Sequence, residues 1–255
     1  MESPVQELLR WSKAKFSRVV FKGKFMSAQI FPSVSALFKK TYITYRRLWL
    51  DVCLNAYSHQ MRGMVLDLGG KRENKRGSFQ PPEKDVQAWW YLNLDLSTHP
   101  NIFADVTKTP LQSAGVDCLI CTEVLEHLSD PQACVDEMHR LLHNGGLVFA
   151  SVPFFYPVHA DPYDFQRFTE DGLRYLFRKF KSVEIHRMGG YFGVLGLLCE
   201  LGVLSEEGDA FANKFNRWAL KWLSRWLCSL DLCLYDRENI KRQKFTTGYF
   251  VRAVR

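Results

Sequence analysis

Several familiar signatures are missing from this 255-residue chain, and each absence removes a class of function. There is no phosphate-cradling G-x-x-x-x-G-K-[ST] loop and no zinc-ligand spacing. There is also no G-x-G-x-x-G fingerprint, which disfavours a nucleotide-sugar oxidoreductase. Long apolar runs are absent too. The longest, Tyr191 to Leu204, has fourteen residues and contains Glu200, so it is too short and too polar to span a bilayer. The first 24 residues scatter charge throughout and lack the apolar core of a signal peptide, so no signal peptide is expected. The seven cysteines are odd in number and irregular in spacing, which gives no disulfide framework and predicts a reduced, cytoplasmic compartment. Cys118 and Cys121 have C-x-x-C spacing, but in a strand such positions face opposite ways, and the expectation is buried thiols rather than a metal or redox pair.

Charge is unevenly divided. Residues 1–60 carry ten Lys/Arg against three Asp/Glu, and residues 208–255 carry ten against four. The stretch 61–207 holds fourteen basic and twenty acidic residues, so an acidic middle lies between two basic flanks. That division points to a partner surface of negative charge. Nucleic acid is disfavoured, because the basic residues accompany apolar helix faces and the middle is acidic.

At 255 residues and 47% hydrophobic, the chain can bury one substantial α/β core with appendages. The stretch MVLDLGG, Met64 to Gly70, reads as a buried strand running into Asp67 and turning at Gly69 and Gly70. Ahead of it, Ser3, Pro4 and Gln6 predict a helix start. A second helix is expected from about Ser35 to Tyr57, with Gly63 able to stop it. Lys71 to Ala88 is polar and contains Pro81 and Pro82, so it is expected to be a loop. A second strand is predicted at Trp90 to Asp95, with Asp95 at its end, where an acidic side chain in dinucleotide folds takes the ribose hydroxyls. Asn101 to Val106 is a third short strand, carrying Asp105.

Val116 to Cys121 is the fourth strand, followed by Thr122, Glu123 and His127. Asp130 and Pro131 cap a helix whose apolar face is Val135, Met138, Leu141 and Leu142. Asn144, Gly145 and Gly146 are expected to end that helix before a fifth strand, Leu147 to Val152. A strand, helix, strand unit of this kind implies a parallel sheet.

In that order the residues VLDLGG, NLDLS, ADVTKTPL, DCLICTEVLEHL and LLHNGGLVFASVP resemble a class I S-adenosylmethionine-dependent methyltransferase of the small single-domain type. The resemblance covers Met61 to Lys181, and GYFVRAV at Gly248 to Val254 is similar to the family's closing antiparallel strand. It implies an α/β, Rossmann-like, seven-stranded and mostly parallel sheet with helices on both faces and helical additions at both ends. The implied domains are a basic helical extension, 1–60, and a methyltransferase domain, 61–255, with a helical insertion at about 190–235. The implied cofactor is S-adenosylmethionine. Asp67, Gly69 and Gly70 would face its methionine moiety, Asp95 its ribose, and Asp105 and Val106 its adenine. Thr122 and Glu123 would lie near the sulfonium. Where the family usually has a further glycine, this chain has Lys71.

Pro153 to Thr169 resembles the H-x-x-P-x-D-(F/Y)-x-R-F-T run of a branch associated with sugar or cell-surface biosynthesis. An Asp164–Arg167 pair is expected to pin this loop, with Thr169 capping a helix from Glu170 to Phe180. His159 is the expected catalytic base, because an imidazole titrating near neutrality can take a proton from an acceptor hydroxyl. For His127 the expected role is structural, with backbone contacts satisfying the ring.

In Phe211 to Leu230, Trp218, Trp222 and Trp226 recur every four residues, flanked by Lys214, Arg217, Lys221 and Arg225. Such a helix fits an interfacial membrane position, and equally a face packed on the sheet or in a dimer. The function expected is methyl transfer to an oxygen or nitrogen acceptor, either a small molecule or a lipid-linked or glycan-like one, with a peripheral contact to an anionic membrane. The alternative is a non-catalytic, membrane-associated binding protein that keeps the fold.

Overall fold

The computed structural model describes residues 44–73, 77–159, 162–204, 214–234 and 244–255. The helix start expected at Ser3, and the first part of the helix expected from Ser35, lie outside these residues. Seven strands form one sheet: β1 Gly63–Leu68, β2 Val86–Asn93, β3 Ile102–Phe103, β4 Val116–Thr122, β5 Leu142–Pro153, β6 Ser182–Met188 and β7 Gly248–Val254. Their spatial order is β3-β2-β1-β4-β5-β7-β6, with every pairing parallel except the two that β7 makes. The sheet is therefore mostly parallel and open, as expected. The order reverses between β1 and β4, where a ligand crevice belongs in an open α/β sheet.

Two compact units divide the chain. The sheet unit contains all seven strands and the helices α2 Pro131–Leu141 and α3 Glu170–Leu176. One sheet face presents Leu66, Leu68, Leu119 and Cys121 to a core that takes in Val135 and Met138 of α2, all essentially buried. Alternation puts Phe149 and Phe250 on the other face, where the ring of Tyr57 stacks on Phe250 at 5.8 Å. Cys118 and Cys121 are both buried free thiols, which bears out the strand reading of their spacing.

Local chemistry explains most element ends. Asp130 accepts from the N–H of Ala133, and Pro131 starts α2, while Thr169 accepts from the N–H of Gly172 at the start of α3. Several boundaries differ from expectation. Gly63 does not stop a helix; with φ +65° it opens β1, because a Cβ there would lie 2.3 Å from the Asp117 carboxylate. Helix α1, Tyr45–Tyr57, has already given way to a 3-10 turn at Ser58–Gln60. Neither do Asn144, Gly145 and Gly146 lie between helix and strand. Strand β5 begins at Leu142, and Gly145, at φ +85°, sits in a bulge where the register to β4 jumps from Leu142 to Leu147. The backbone N–H of Gly145 is instead used by the carbonyl of Arg255. Helix α3 stops at Leu176 rather than Phe180.

The helical unit comprises residues 45–56 of α1, α4 Tyr191–Leu204, α5 Lys214–Leu234 and short connecting segments. Helices α4 and α5 cross closely at Gly196, where a Cβ would stand 2.6 Å from Cys228 Sγ and 3.0 Å from the Ser224 carbonyl. Asp231 of α5, 3% exposed, accepts from the Tyr45 hydroxyl at 2.7 Å and from the Gly190 N–H at 2.8 Å. Those two donors satisfy a carboxylate that burial would otherwise penalise. None of the helices among the described residues is long and apolar enough to cross a membrane.

Candidate active site

The carboxyl ends of β1 and β4 are neighbours, since Asp67 lies beside Ile120 in the ladder. Beyond β1 the chain turns at Gly69, with φ +73°, and an added Cβ would meet Val124 Cγ2 at 2.6 Å. At Gly70 it would meet the Asp67 carboxyl group at 2.4 Å. The left-handed backbone at Gly69 therefore requires glycine, at Gly70 a side chain would have to displace the Asp67 carboxyl group, and the turn offers bare backbone. Asn93, at the end of β2, locks it by donating its amide to the carbonyls of Gly69 and Gly70, each at 3.1 Å. Asn93 escaped the sequence reading because an amide at a strand end has no spacing that announces a clamp.

Asp95 is not the last residue of β2 but lies two residues beyond it, capping a 3-10 turn at Leu96–Thr98. Its Oδ1 accepts from the Ser97 N–H at 2.9 Å and the Ser97 hydroxyl at 2.6 Å. These bonds, and less strongly the charge of Lys71, hold the carboxyl below the usual carboxylate range. The lysine at the family's glycine position thus bears electrostatically on the expected ribose ligand. Asp105 repeats the device, its Oδ1 accepting from the Thr107 N–H and hydroxyl, both at 2.8 Å. In both aspartates Oδ2 makes no hydrogen bond among the described residues and remains able to accept from a ligand. Val106 is buried in the sheet core, so a ligand would meet its backbone rather than its side chain.

At the end of β4, Thr122 pairs with Ser151 of β5. Glu123 then takes a left-handed backbone, φ +59°, a conformation that costs energy for a residue with a side chain. Two bonds hold it there. Its N–H donates to the Ser151 carbonyl at 2.9 Å, and the fully buried Ser151 hydroxyl donates to Glu123 Oε1 at 2.7 Å. Leu125–His127 forms a 3-10 turn in which the Glu126 side chain is fully buried.

The loop after β5 brings His159 to this turn. Arg167 grips Asp164 through both guanidinium nitrogens, with Nη2 to Oδ2 at 2.7 Å, and holds its carboxyl well below the usual range. The expected pin is present. Asp164 Oδ2 also accepts from the His159 backbone N–H at 2.9 Å. His159 Nδ1 lies 3.2 Å from the Pro157 carbonyl and 3.3 Å from Asp164 Oδ2. Its ring meets that of His127 edge to face at 5.1 Å. His127 has the backbone contact expected of it, Nδ1 standing 2.5 Å from the Tyr163 carbonyl. Phe155, Val158, Tyr163 and Phe165 are exposed along the same loop.

The geometry fits S-adenosylmethionine. Bare backbone at Gly69–Gly70 admits an amino-acid end, Asp95 Oδ2 can accept from a diol, and Asp105 Oδ2 and the Val106 backbone offer polar edges.

Residues 91–150, running from β2 into β5, match the family described as "Methyltransferase domain". Curated proteins yield no match. Among solved structures, the [4+2]-cyclase SpnF is similar at 14% identity, TM-score 0.48, over 80% of each chain. A SAM-dependent methyltransferase from Archaeoglobus fulgidus is similar at 13%, TM-score 0.47, over 89% of this chain and all of that one. Phosphoethanolamine N-methyltransferase 2 of Haemonchus contortus is similar at 13%, TM-score 0.46, over 81% of this chain; the chain spans 52% of that protein's length. Likenesses at this level carry no weight for activity. The matched segment runs through β2, β3, β4 and α2 into β5, the part of the sheet that frames the crevice.

Proposed function

We propose that the crevice beyond β1 and β4 binds the cofactor through Asp67, Gly69, Gly70, Asp95, Asp105, Val106, Thr122 and Glu123. The methyl acceptor, a hydroxyl or amine of a small, lipid-linked or glycan-like molecule, enters beside His159. The observation that carries this reading is the clamped Gly69–Gly70 turn, where the backbone at Gly69 is left-handed, a Cβ at Gly70 would press on Asp67, and Asn93 holds both carbonyls. S-adenosylmethionine supplies an electrophilic methyl on a sulfonium. Asp95 orients the ribose end, and the aromatic side chains Phe155, Tyr163 and Phe165 help to exclude water from the acceptor side. His159 would take the proton that the acceptor sheds on accepting the methyl group. Calorimetry should show S-adenosylmethionine binding and no NAD binding; the reverse would overturn the reading. With an acceptor in hand, His159→Ala should lower turnover by about 100-fold with little change in cofactor affinity. Turnover near wild type would remove the histidine from the chemistry.

A peripheral contact with anionic membrane is supported by α5. Its buried side is Ser224, Leu227, Cys228 and Asp231, whereas Trp218, Trp222 and Trp226 are 61%, 58% and 49% exposed. Arg217, Lys221 and Arg225 are exposed beside them. Exposed indoles with a basic edge suit the headgroup level of a bilayer. Wild-type protein should co-sediment with anionic vesicles in a salt-sensitive manner, and protein that stays in the supernatant at low salt would exclude the contact.

A further inference from the structure

Glu126, His127 and His159 each place one ligand atom within 4.8 Å of the other two. They come from two separate segments, the turn after β4 and the loop after β5, so the fold and not local sequence makes the cluster. The carboxylate is wholly buried, and the two imidazoles are partly exposed, which leaves one side of the cluster open.

The rings are already oriented as metal ligands are. A ligating histidine donates its second ring N–H to a carbonyl or carboxylate, which fixes the tautomer and turns the other nitrogen toward the ion. His127 Nδ1 faces the Tyr163 carbonyl at 2.5 Å, and a carbonyl only accepts, so that nitrogen is the donor and Nε2 is the one left to meet a ligand. His127 Nε2 in turn stands 3.7 Å from Glu126 Oε1. Imidazole nitrogen and carboxylate oxygen are both metal-ligand types, and the Arg167 guanidinium is a further charge that bears on the same carboxylate. His159 is held in the same way, its Nδ1 near the Pro157 carbonyl and near Asp164, which Arg167 grips from the other side. Donors about 2.0–2.2 Å from one ion at tetrahedral angles stand roughly 3.3–3.6 Å from each other. The observed spread therefore closes on an ion with small side-chain rotations.

We infer that Glu126, His127 and His159 bind a first-row divalent cation of the zinc, iron or manganese type, with open positions toward the acceptor side. Two imidazole nitrogens and one carboxylate select such ions over calcium or magnesium, which prefer all-oxygen ligands. This inference deepens the acceptor-side reading of His159 and rests on it for its function alone. A cation here lowers the pKa of a bound acceptor hydroxyl, so that its proton leaves to water, and His159 then serves as ligand where in the metal-free protein it is the base. The binding itself rests only on the cluster's geometry.

The test uses the full chain, stripped with a chelator and titrated with Zn²⁺ by calorimetry and with Co²⁺ by absorption. One ion per chain is expected, and the Co²⁺ spectrum should show nitrogen and oxygen ligation without a thiolate charge-transfer band. A double variant, His127→Ala with His159→Ala, should bind at least about 100-fold more weakly. Glu126→Gln keeps the shape of the buried side chain and should also weaken binding, so a folding defect in the double variant leaves a second check. His143→Ala, at the exposed pair with Asp117, should bind as wild type does. No stoichiometric binding, a thiolate band, or undiminished binding in the folded variants would overturn the site. Cofactor calorimetry on metal-free protein separates this failure from failure of the methyltransferase reading, because S-adenosylmethionine binding does not require the ion.

Discussion

The sheet unit and the helical unit are held together by different means, and the difference separates chemistry from surface. In the sheet unit, backbone ladders join strands distant in sequence, so their carboxyl ends bring Gly69, Asn93, Glu123 and His159 to one edge. Side chains there are spent on turns. Asp95, Asp105, Ser151 and Asp164 each hold a loop in place. In the helical unit, order comes from close helix crossing at Gly196 and from one buried carboxylate, Asp231. Its largest side chains on α5 turn outward. A rigid edge presents polar groups to a ligand, whereas an amphipathic helix presents apolar ones to a surface.

The largest effect should come from the crossing of α4 and α5. Gly196→Val puts a branched side chain against Cys228 and the Ser224 carbonyl, and should cost about 3 kcal/mol or more in the helical unit, read by hydrogen exchange along both helices. Unchanged protection there would mean that the crossing is looser than the contact distances imply. Asp231→Ala should cost roughly 2–3 kcal/mol by orphaning the Tyr45 hydroxyl and the Gly190 N–H, measured by denaturant titration.

A smaller effect is expected at Glu137 in the sheet unit. Burial pushes its carboxyl up, but hydrogen bonds from Arg140 and Thr109 outweigh burial and hold it down at about 2. A folded pKa below the unfolded one stabilises above the ordinary carboxylate range, and that stability is lost as pH falls through about 2. Glu137→Gln should therefore flatten the loss of stability on acidification, and an unchanged pH profile would rule out the clamp. For cofactor binding, Asp95→Ala should raise the S-adenosylmethionine Kd at least about tenfold in a folded protein. Least of all should stability respond to changing Trp218, Trp222 and Trp226 to Ala, since all three are exposed; vesicle binding should fall instead. A cooperative loss of fold in that variant would reassign the stripe to a packing role and erase the contrast between the units.

The strands that became β1 and β4, the caps Asp130, Pro131 and Thr169, and the Asp164–Arg167 pin could all be read from order and spacing, because each depends on neighbours a few residues away or on a strand's own alternation. The glycines at 69 and 70 were legible for the same reason, whereas β7 was legible only through the family resemblance. Non-local pairing determined the rest. Strand β5 runs through Asn144, Gly145 and Gly146 because Arg255, at the far end of β7, takes up the backbone that a helix stop would have left free. Asn93 and Ser151 had no signal, since an isolated polar residue acquires a role only from what the sheet places beside it. His159 was visible as a titratable side chain in a substrate loop, but not its neighbour. His127 and Glu126 lie more than 30 residues earlier in the sequence, and only the ladder between β4 and β5 carries their turn and the 154–169 loop to the same edge. The sequence by itself determined which residues could do chemistry, through local spacing and side-chain type. The tertiary structure decided which of them do it together, because distances between chain segments are set by strand pairing and not by the chain's local preferences.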